Sequence, residues 1–234
     1  MIKLKNATIE YKENQGIFDI NFEFKSNKIY SILGSSGCGK TTLLSSILGF
    51  RKLDSGIVEF DKEKIKLSYV PQQSTLFQWY NVRKNIELGI INHIEVNKDE
   101  KIDLLLNELE LKEVEENYVN KISGGQKQRT SIARALISNP DVILCDEPTA
   151  ALDAFNKEKL QDLFLKLYNS RKFTLIMVTH SIDEAVFLSD EIIIMNKGKI
   201  VKVVENNSKK VLNYRNDIEY FNKINLIKEI FVNL

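Results

Sequence analysis

The stretch Gly34-Ser35-Ser36-Gly37-Cys38-Gly39-Lys40-Thr41 fits G-x-x-x-x-G-K-S/T, the pattern of a phosphate-binding loop. Its residue types dictate the chemistry. Glycines let the backbone turn tightly and bring several N–H groups onto phosphate oxygens. A helix starting behind the loop adds partial positive charge at the same point. Lys40 supplies a full charge for β- and γ-phosphates, and the Thr41 hydroxyl can ligate Mg²⁺. Three more groups carry chemistry. Asp146 and Glu147 end one apolar run, and His180 ends another. Taken separately, the carboxylates also read as a solvated strand end and the histidine as a polar residue flanking a helix. The third group is Ser123-Gly124-Gly125-Gln126, where Ser123 and Gln126 make a capping box. Two glycines in a first turn are poor for helix stability. A second anion site at that helix N-terminus would explain bare backbone there.

These groups need rigid elements to hold them. Residues 28–33 read as a strand and 41–48 as a helix stopped by Gly49, so the glycine loop has its required flanks. Residues 2–4 and 18–24 alternate apolar and polar, which predicts an antiparallel sheet with one wet face and a turn at Glu13-Asn14-Gln15-Gly16. Tyr11, at the end of the first of these runs, reads either as an aromatic plate for an adenine ring or as a strand-end tyrosine. Residues 57–60 and 66–70 read as strands, the second ended by Pro71. Gln72 and Gln73 follow, then the aromatic-rich Leu76-Phe77-Gln78-Trp79-Tyr80. Residues 82–118 are mostly helical in character, with a packing stripe at 102, 105, 106 and 109. The helix opened by Ser123 runs to about Ser138.

Residues 141–145 and 174–178 are continuous apolar runs, the signature of strands buried in a parallel sheet. In doubly wound sheets, ligands bind at the C-terminal ends of strands. The glycine loop, Asp146-Glu147 and His180 all fall at such ends, which predicts one shared site. Ser181 and Glu184 form another capping box, opening a helix to about Ser189. Residues 191–204 read as a hairpin turning at Gly198. A polar break spans 206–210, and apolar residues at 218, 221, 224, 227, 230 and 231 predict a final helix packed on the domain. There is no internal repeat and no low-complexity segment.

Composition narrows the function classes. With 33 basic against 32 acidic residues, the net charge of +1 argues against a broad nucleic-acid surface. Two cysteines, Cys38 and Cys145, predict a reducing compartment and no disulfide framework. Neither has metal-site spacing. The N-terminus has no signal-peptide apolar region, and no apolar run approaches the ~18 residues of a membrane span. A cytosolic protein that meets a membrane only through a partner is expected.

With these residues in hand, the chain resembles the ATP-binding subunits of ABC transporters from residue 1 to about 205. The diagnostic elements stand in order. Gly34–Thr41 matches Walker A, and Gln72 the Q-loop glutamine, because Trp79 stands where that family's downstream tryptophan often does. Ser123-Gly124-Gly125-Gln126 matches the signature motif, and Val142–Asp146 matches Walker B with Glu147 as catalytic glutamate. Ala151-Leu152-Asp153 matches the D-loop, His180 the switch histidine and Tyr11 the adenine-stacking aromatic. Departures are minor: Ser35 and Gln78 stand where prolines are commoner, and Thr41 where serine is.

The resemblance implies an α/β P-loop NTPase (RecA-like) core with an antiparallel β subdomain and a helical subdomain. The whole chain, 1–234, would be one ABC ATPase domain, with the helical subdomain at about 73–135 and a C-terminal helical tail at about 206–234. It implies ATP and Mg²⁺ as cofactors. Gly34, Ser35, Ser36, Gly37, Cys38, Gly39, Lys40, Thr41 and Thr42 would hold the phosphates. Thr41, Gln72 and Asp146 would serve the metal, Glu147 would polarise the attacking water, and His180 would contact the γ-phosphate. Ser123, Gly124, Gly125, Gln126 and Asp153 would complete the site of the opposite subunit in a head-to-tail homodimer holding two ATP molecules. That dimer would sit on two transmembrane permease subunits, peripheral to the inner face of the cell membrane, with a solute-binding protein outside. Residues 77–82 and 179–190, with the tail from Asn213, look like the nitrate/sulfonate/taurine importers. An exporter or lipoprotein-release ATPase, and a non-transport ABC ATPase of DNA repair or translation, are the alternatives. The chain lacks the long insertion or tandem domain usual in the last class.

Overall fold

The computed structural model describes residues 1–12, 15–90, 97–206 and 210–234. Glu13 and Asn14 of the expected turn, 91–96 within the expected helical region, and 207–209 of the polar break lie outside the described residues. A six-stranded sheet organises the rest, in the order β5 (Leu67–Val70), β6 (Val142–Asp146), β7 (Thr174–Val178), β3 (Ile29–Gly34), β8 (Glu191–Asn196), β9 (Lys199–Glu205). The first five strands run parallel and β9 returns antiparallel to β8. The hairpin between them turns at Lys197 and Gly198, both at positive φ.

Strand alternation divides the apolar side chains between two cores. Ile29, Leu33, Ile143, Leu175, Met177, Ile192 and Ile194 face one side. Tyr30, Ile32, Leu144, Ile176, Val178, Ile193 and Met195 face the other. The first side is covered by α5 (Ala154–Arg171), α6 (Ile182–Leu188) and α7 (Ile218–Val232). The second is covered by α1 (Lys40–Ile47) and by a three-stranded antiparallel sheet of β2 (Gln15–Phe24), β1 (Ile2–Lys12) and β4 (Ser55–Phe60). With both faces of the central strands covered, β3, β6 and β7 are buried along their whole length, which is why β6 and β7 read as apolar runs without alternation. The remaining helices, α2 (Val82–Glu87), α3 (Lys98–Glu108) and α4 (Gly124–Leu136), join the first core through Ile86, the 102/105/106/109 stripe and Ile132.

Three expectations change. The 18-residue α5 is the longest described helix, and sequence patterning did not single it out. Its apolar residues are split across Leu160, Leu163, Phe164, Leu165, Leu167 and Tyr168, too broad a face to stand out as a stripe. In α7 the buried face is Tyr220, Ile224 and Ile227, with Ile230 and Phe231 packed against it. Ile218 and Phe221, expected to pack, are exposed. Residue 218 lies about 200° around the helix from 220, on the far side of the axis. Finally, Ser181 caps α6 by accepting from the Glu184 N–H at 3.3 Å, but the reciprocal half of the expected box is absent. The Glu184 carboxylate turns inward instead.

Candidate functional site

The sheet brings the chemistry together. Asp146 pairs with Val178, Val178 with Ile32, and Gly34 with Met195, so the C-terminal ends of β6, β7, β3 and β8 lie in one row. From the end of β3 the glycine loop turns back into α1. Gly39, at φ 103, occupies the N-cap and has no side chain to cap the helix. The first amides of α1 are therefore left for a ligand. A Cβ at Gly39 would sit 2.5 Å from the Gly16 carbonyl, so the loop also needs glycine to pass under the β1–β2 hairpin. The Lys40 ammonium folds over the loop, donating to the carbonyls of Gly34 at 2.8 Å and Ser35 at 2.9 Å.

A cavity of about 540 Å³ opens above the loop. Ser36, Gly37, Gly39, Lys40, Thr41 and Thr42 form its floor, with Tyr11, Gln15 and Gly16 on one side and Gln72 and Glu147 on the other. The Thr41 hydroxyl lies 3.3 Å from Asp146 Oδ1 and donates to it. Burial pushes the Asp146 carboxyl above its ordinary pKa, with the Thr41 hydrogen bond acting in the opposite direction. A cation beside it would relieve that cost. Hydroxyl, carboxylate and amide oxygens are the hard donors Mg²⁺ prefers, and in nucleotide sites one or two carboxylates together with substrate phosphates usually hold it. Thr41, Asp146 and Gln72 therefore fit the metal.

Glu147 is held by its neighbours. Its backbone N–H donates to the Val178 carbonyl at 2.9 Å. Gln72 Nε2 donates to Glu147 Oε2 at 2.9 Å, and His180 Nδ1 lies 3.4 Å from Oε1. Gln72, not Gln73, is thus the glutamine that reaches the site. Glu147 also lies beyond the strand, at φ 47. A left-handed kink, more than the alternation of a regular strand, sends it away from Asp146. Tyr11 keeps its ring accessible, with the Arg51 guanidinium 5.3 Å from the centroid. Ser35 and Cys38 belong to the loop but do not line the cavity. Burial raises the pKa of the Cys38 thiol, with the Lys40 charge opposing.

The five residues expected to serve the opposite subunit do not line this cavity. The capping box at α4 is complete, with Gln126 Oε1 accepting from Ser123 N and Ser123 Oγ from Gln126 N. A Cβ on Gly124 would meet nothing within 4 Å, and one on Gly125 only Asn156 at ordinary contact distance. Packing among the described residues does not call for either glycine. Asp153 caps α5, accepting from the Asn156 backbone N–H at 3.1 Å and side chain at 2.6 Å.

The aromatic loop is held by a residue that sequence reasoning passed over. Asn85 is fully buried, accepts from the Phe77 N–H at 2.8 Å and donates to the carbonyls of Phe77 and Asn81. Trp79 is 66% exposed, so its ring does not pack into the helical core. Leu76, three residues earlier, is buried.

Strand, glycine loop and helix, with a carboxylate pair on a parallel strand of the same sheet, define a P-loop nucleotide triphosphatase. The ABC transporter family profile matches residues 17–150. The taurine import ATP-binding protein TauB of Roseobacter denitrificans is 40% identical over 197 residues, 80% of this chain and 74% of that protein. The aliphatic sulfonates import ATP-binding protein SsuB of Bacillus cereus is 40% identical over 210 residues, 87% of this chain and 81% of that protein. Among solved structures, a dimeric post-hydrolysis ATP-binding cassette, MJ0796, bound to ADP and Pi has a TM-score of 0.79 at 32% identity, covering 89% of this chain and 100% of that one. The chain belongs to the ATP-binding subunits of ABC transporters, Mg²⁺-dependent ATPases that dimerise and work with permease subunits.

Proposed function

We propose that this chain powers the import of small organic anions of the sulfonate type, and that Glu147 activates the attacking water. The carrying observation is that the Glu147 carboxylate, between Gln72 and His180, borders the cavity floored by Lys40 and Thr41. In this reading Lys40 and the loop amides hold the phosphates. Thr41, Gln72 and Asp146 would hold Mg²⁺, which would supply charge neutralisation for the phosphates. Tyr11 stacks on adenine, and His180 contacts the γ-phosphate. Ser123, Gly124, Gly125, Gln126 and Asp153 close the partner's site in a head-to-tail dimer. The names of the relatives at 40% identity support sulfonate import over export.

The test has two parts. Phosphate release from ATP by the purified chain is expected with Mg²⁺ and is expected to fall to background in EDTA. Cells expressing the chain with its permease and a solute-binding protein are expected to take up labelled taurine or an alkanesulfonate. ATP-dependent efflux of those anions, with no uptake, would rule out import.

None of the described helices is long and apolar enough to cross a membrane, so attachment to the cytoplasmic face would come through the permease. Phe77, Trp79 and Tyr80 form one ring cluster, with Phe77–Trp79 centroids 5.3 Å apart, on the loop that follows Gln72. Exposed large aromatics often anchor interfaces. Trp79→Ala is expected to weaken co-purification with the permease while leaving the melting temperature within about 2 °C, because the ring buries little on folding. A large drop in melting temperature with unchanged assembly would reject the docking role.

A further inference from the structure

His180 is poorly constrained by its own side chain. The ring is 62% exposed, and its ion-pair partner among the described residues is Glu147. What places the imidazole must therefore be the backbone on either side of it, and both sides are tied to one buried carboxylate. Thr179 continues the line of β7, its N–H donating to the Ile32 carbonyl at 3.2 Å. Its hydroxyl donates to Glu184 Oε2 at 2.5 Å and accepts from the Ser181 N–H at 3.0 Å. Ser181 Oγ in turn accepts from the Glu184 N–H. The ring formed by Thr179, Ser181 and Glu184 brackets residue 180.

Glu184 is 0% exposed. A buried carboxylate is costly unless its oxygens are hydrogen-bonded. A helix cap alone would not require it to be buried, since in a capping box the carboxylate stays at the helix mouth. Here its second oxygen, Oε1, accepts from Gln161 Nε2 at 3.5 Å. Gln161 is itself buried, on the helix that Asp153 caps. Gln161 Oε1 accepts from Arg215 Nη2 at 2.9 Å, and Arg215 Nη1 donates to Asp162 at 2.6 Å. The guanidinium carbon lies 3.4 Å from the Phe187 ring centroid on α6. A continuous polar line thus runs from the short 3-10 segment Leu212–Asn216 through Arg215, Gln161, Glu184 and Thr179 to the histidine. A guanidinium suits that junction because its planar fork can bond two acceptors while stacking on an aromatic face.

We propose that Glu184 and Arg215 are positioning residues for His180, so that the C-terminal segment of this chain sets the geometry of its ATP site. The proposal rests on the reading that His180 acts in hydrolysis. Neither residue touches the nucleotide cavity. Their effect passes through the backbone at 179–181. Misplacement of a catalytic group by about 1 Å can cost up to ~100-fold in rate, so loosening this ring should be visible in turnover. A purely structural polar cluster would instead lower stability and leave the histidine where it was.

The test uses the full chain and two readouts. One is steady-state Mg²⁺-ATPase kinetics. The other is the His180 imidazole ¹H–¹⁵N correlation, made unambiguous by His93→Gln because the chain has only 2 histidines. Glu184→Gln is expected to lower kcat by about tenfold, leave the KM for ATP within about twofold, and move or broaden the His180 signal. Arg215→Met is expected to act in the same direction more weakly, and Arg215→Lys to recover part of the loss. If Glu184→Gln does not fold, Thr179→Val removes the same hydrogen bond and carries the same expectations. The proposal is overturned if these variants melt earlier yet keep wild-type kcat and an unmoved His180 signal. His180→Ala separates the two readings. Wild-type turnover in that variant would end the catalytic reading of His180, and the imidazole signal in Glu184→Gln would still decide whether the buried line positions it.

Discussion

Glu147→Gln is expected to lower ATP turnover by at least about 100-fold, the usual scale for a group that orients or deprotonates a nucleophile. That corresponds to about 2.7 kcal/mol of transition-state stabilisation. The substitution keeps the shape of the side chain and removes its charge. The backbone at 147 holds φ 47, which glutamine tolerates as glutamate does, so no new strain is introduced. In the proposed reading the phosphates are held elsewhere, by Lys40 and the loop amides, and Thr41 and Asp146 serve the metal. ATP affinity should therefore stay within a few-fold of wild type while kcat falls. Single-turnover phosphate release and equilibrium ATP binding measure the two quantities separately. Hydrolysis at the wild-type rate would show that Glu147 is not the catalytic residue.

The second large effect concerns assembly. With hydrolysis blocked, two ATP molecules should hold two chains together, each clamped between one phosphate loop and the α4 N-terminus of the other chain. Glu147→Gln is expected to elute as a dimer in ATP and a monomer without it. Glu147→Gln combined with Ser123→Arg is expected to stay monomeric in both. Among the described residues, nothing lies within 4 Å of where a Gly124 side chain would go, which leaves room for a group arriving from outside. An arginine at 123 would stand in that approach. Ser123→Arg also removes a helix cap worth about 1 kcal/mol, so Glu147→Gln with Ser123→Ala is the control, losing the cap without adding bulk. The control should still dimerise, though at higher ATP, because it loses the Ser123 hydroxyl but leaves the approach to Gly124 and Gly125 open. A double mutant with arginine that dimerises normally would remove the signature helix from the partner's site.

The sequence by itself determined the features whose causes are local. The glycine loop is legible because its spacing and its strand and helix flanks lie within about 20 consecutive residues. The unbroken apolar runs at 142–145 and 174–178 announced strands covered on both faces, and their ends located Asp146, Glu147 and His180 before any coordinates. The capping box at Ser123 was legible for the same reason, since both partners sit within one turn.

Only the tertiary structure decided where side chains go once distant elements meet. The residues of α7 cannot reveal which face packs until α6 lies beside it, so Ile218 and Phe221 fit the apolar spacing and yet are exposed. Nothing local in the aromatic stretch 76–80 says that Leu76 is buried while Trp79 is exposed. Glu184 satisfied a local cap pattern, yet its carboxylate turns inward to Thr179 and to Gln161, which comes from another helix. Arg215 meets Gln161 across 54 residues of chain. The physical reason is common to all four. Backbone propensity and capping act within one or two turns, whereas burial of a side chain depends on partners whose sequence separation no local pattern encodes.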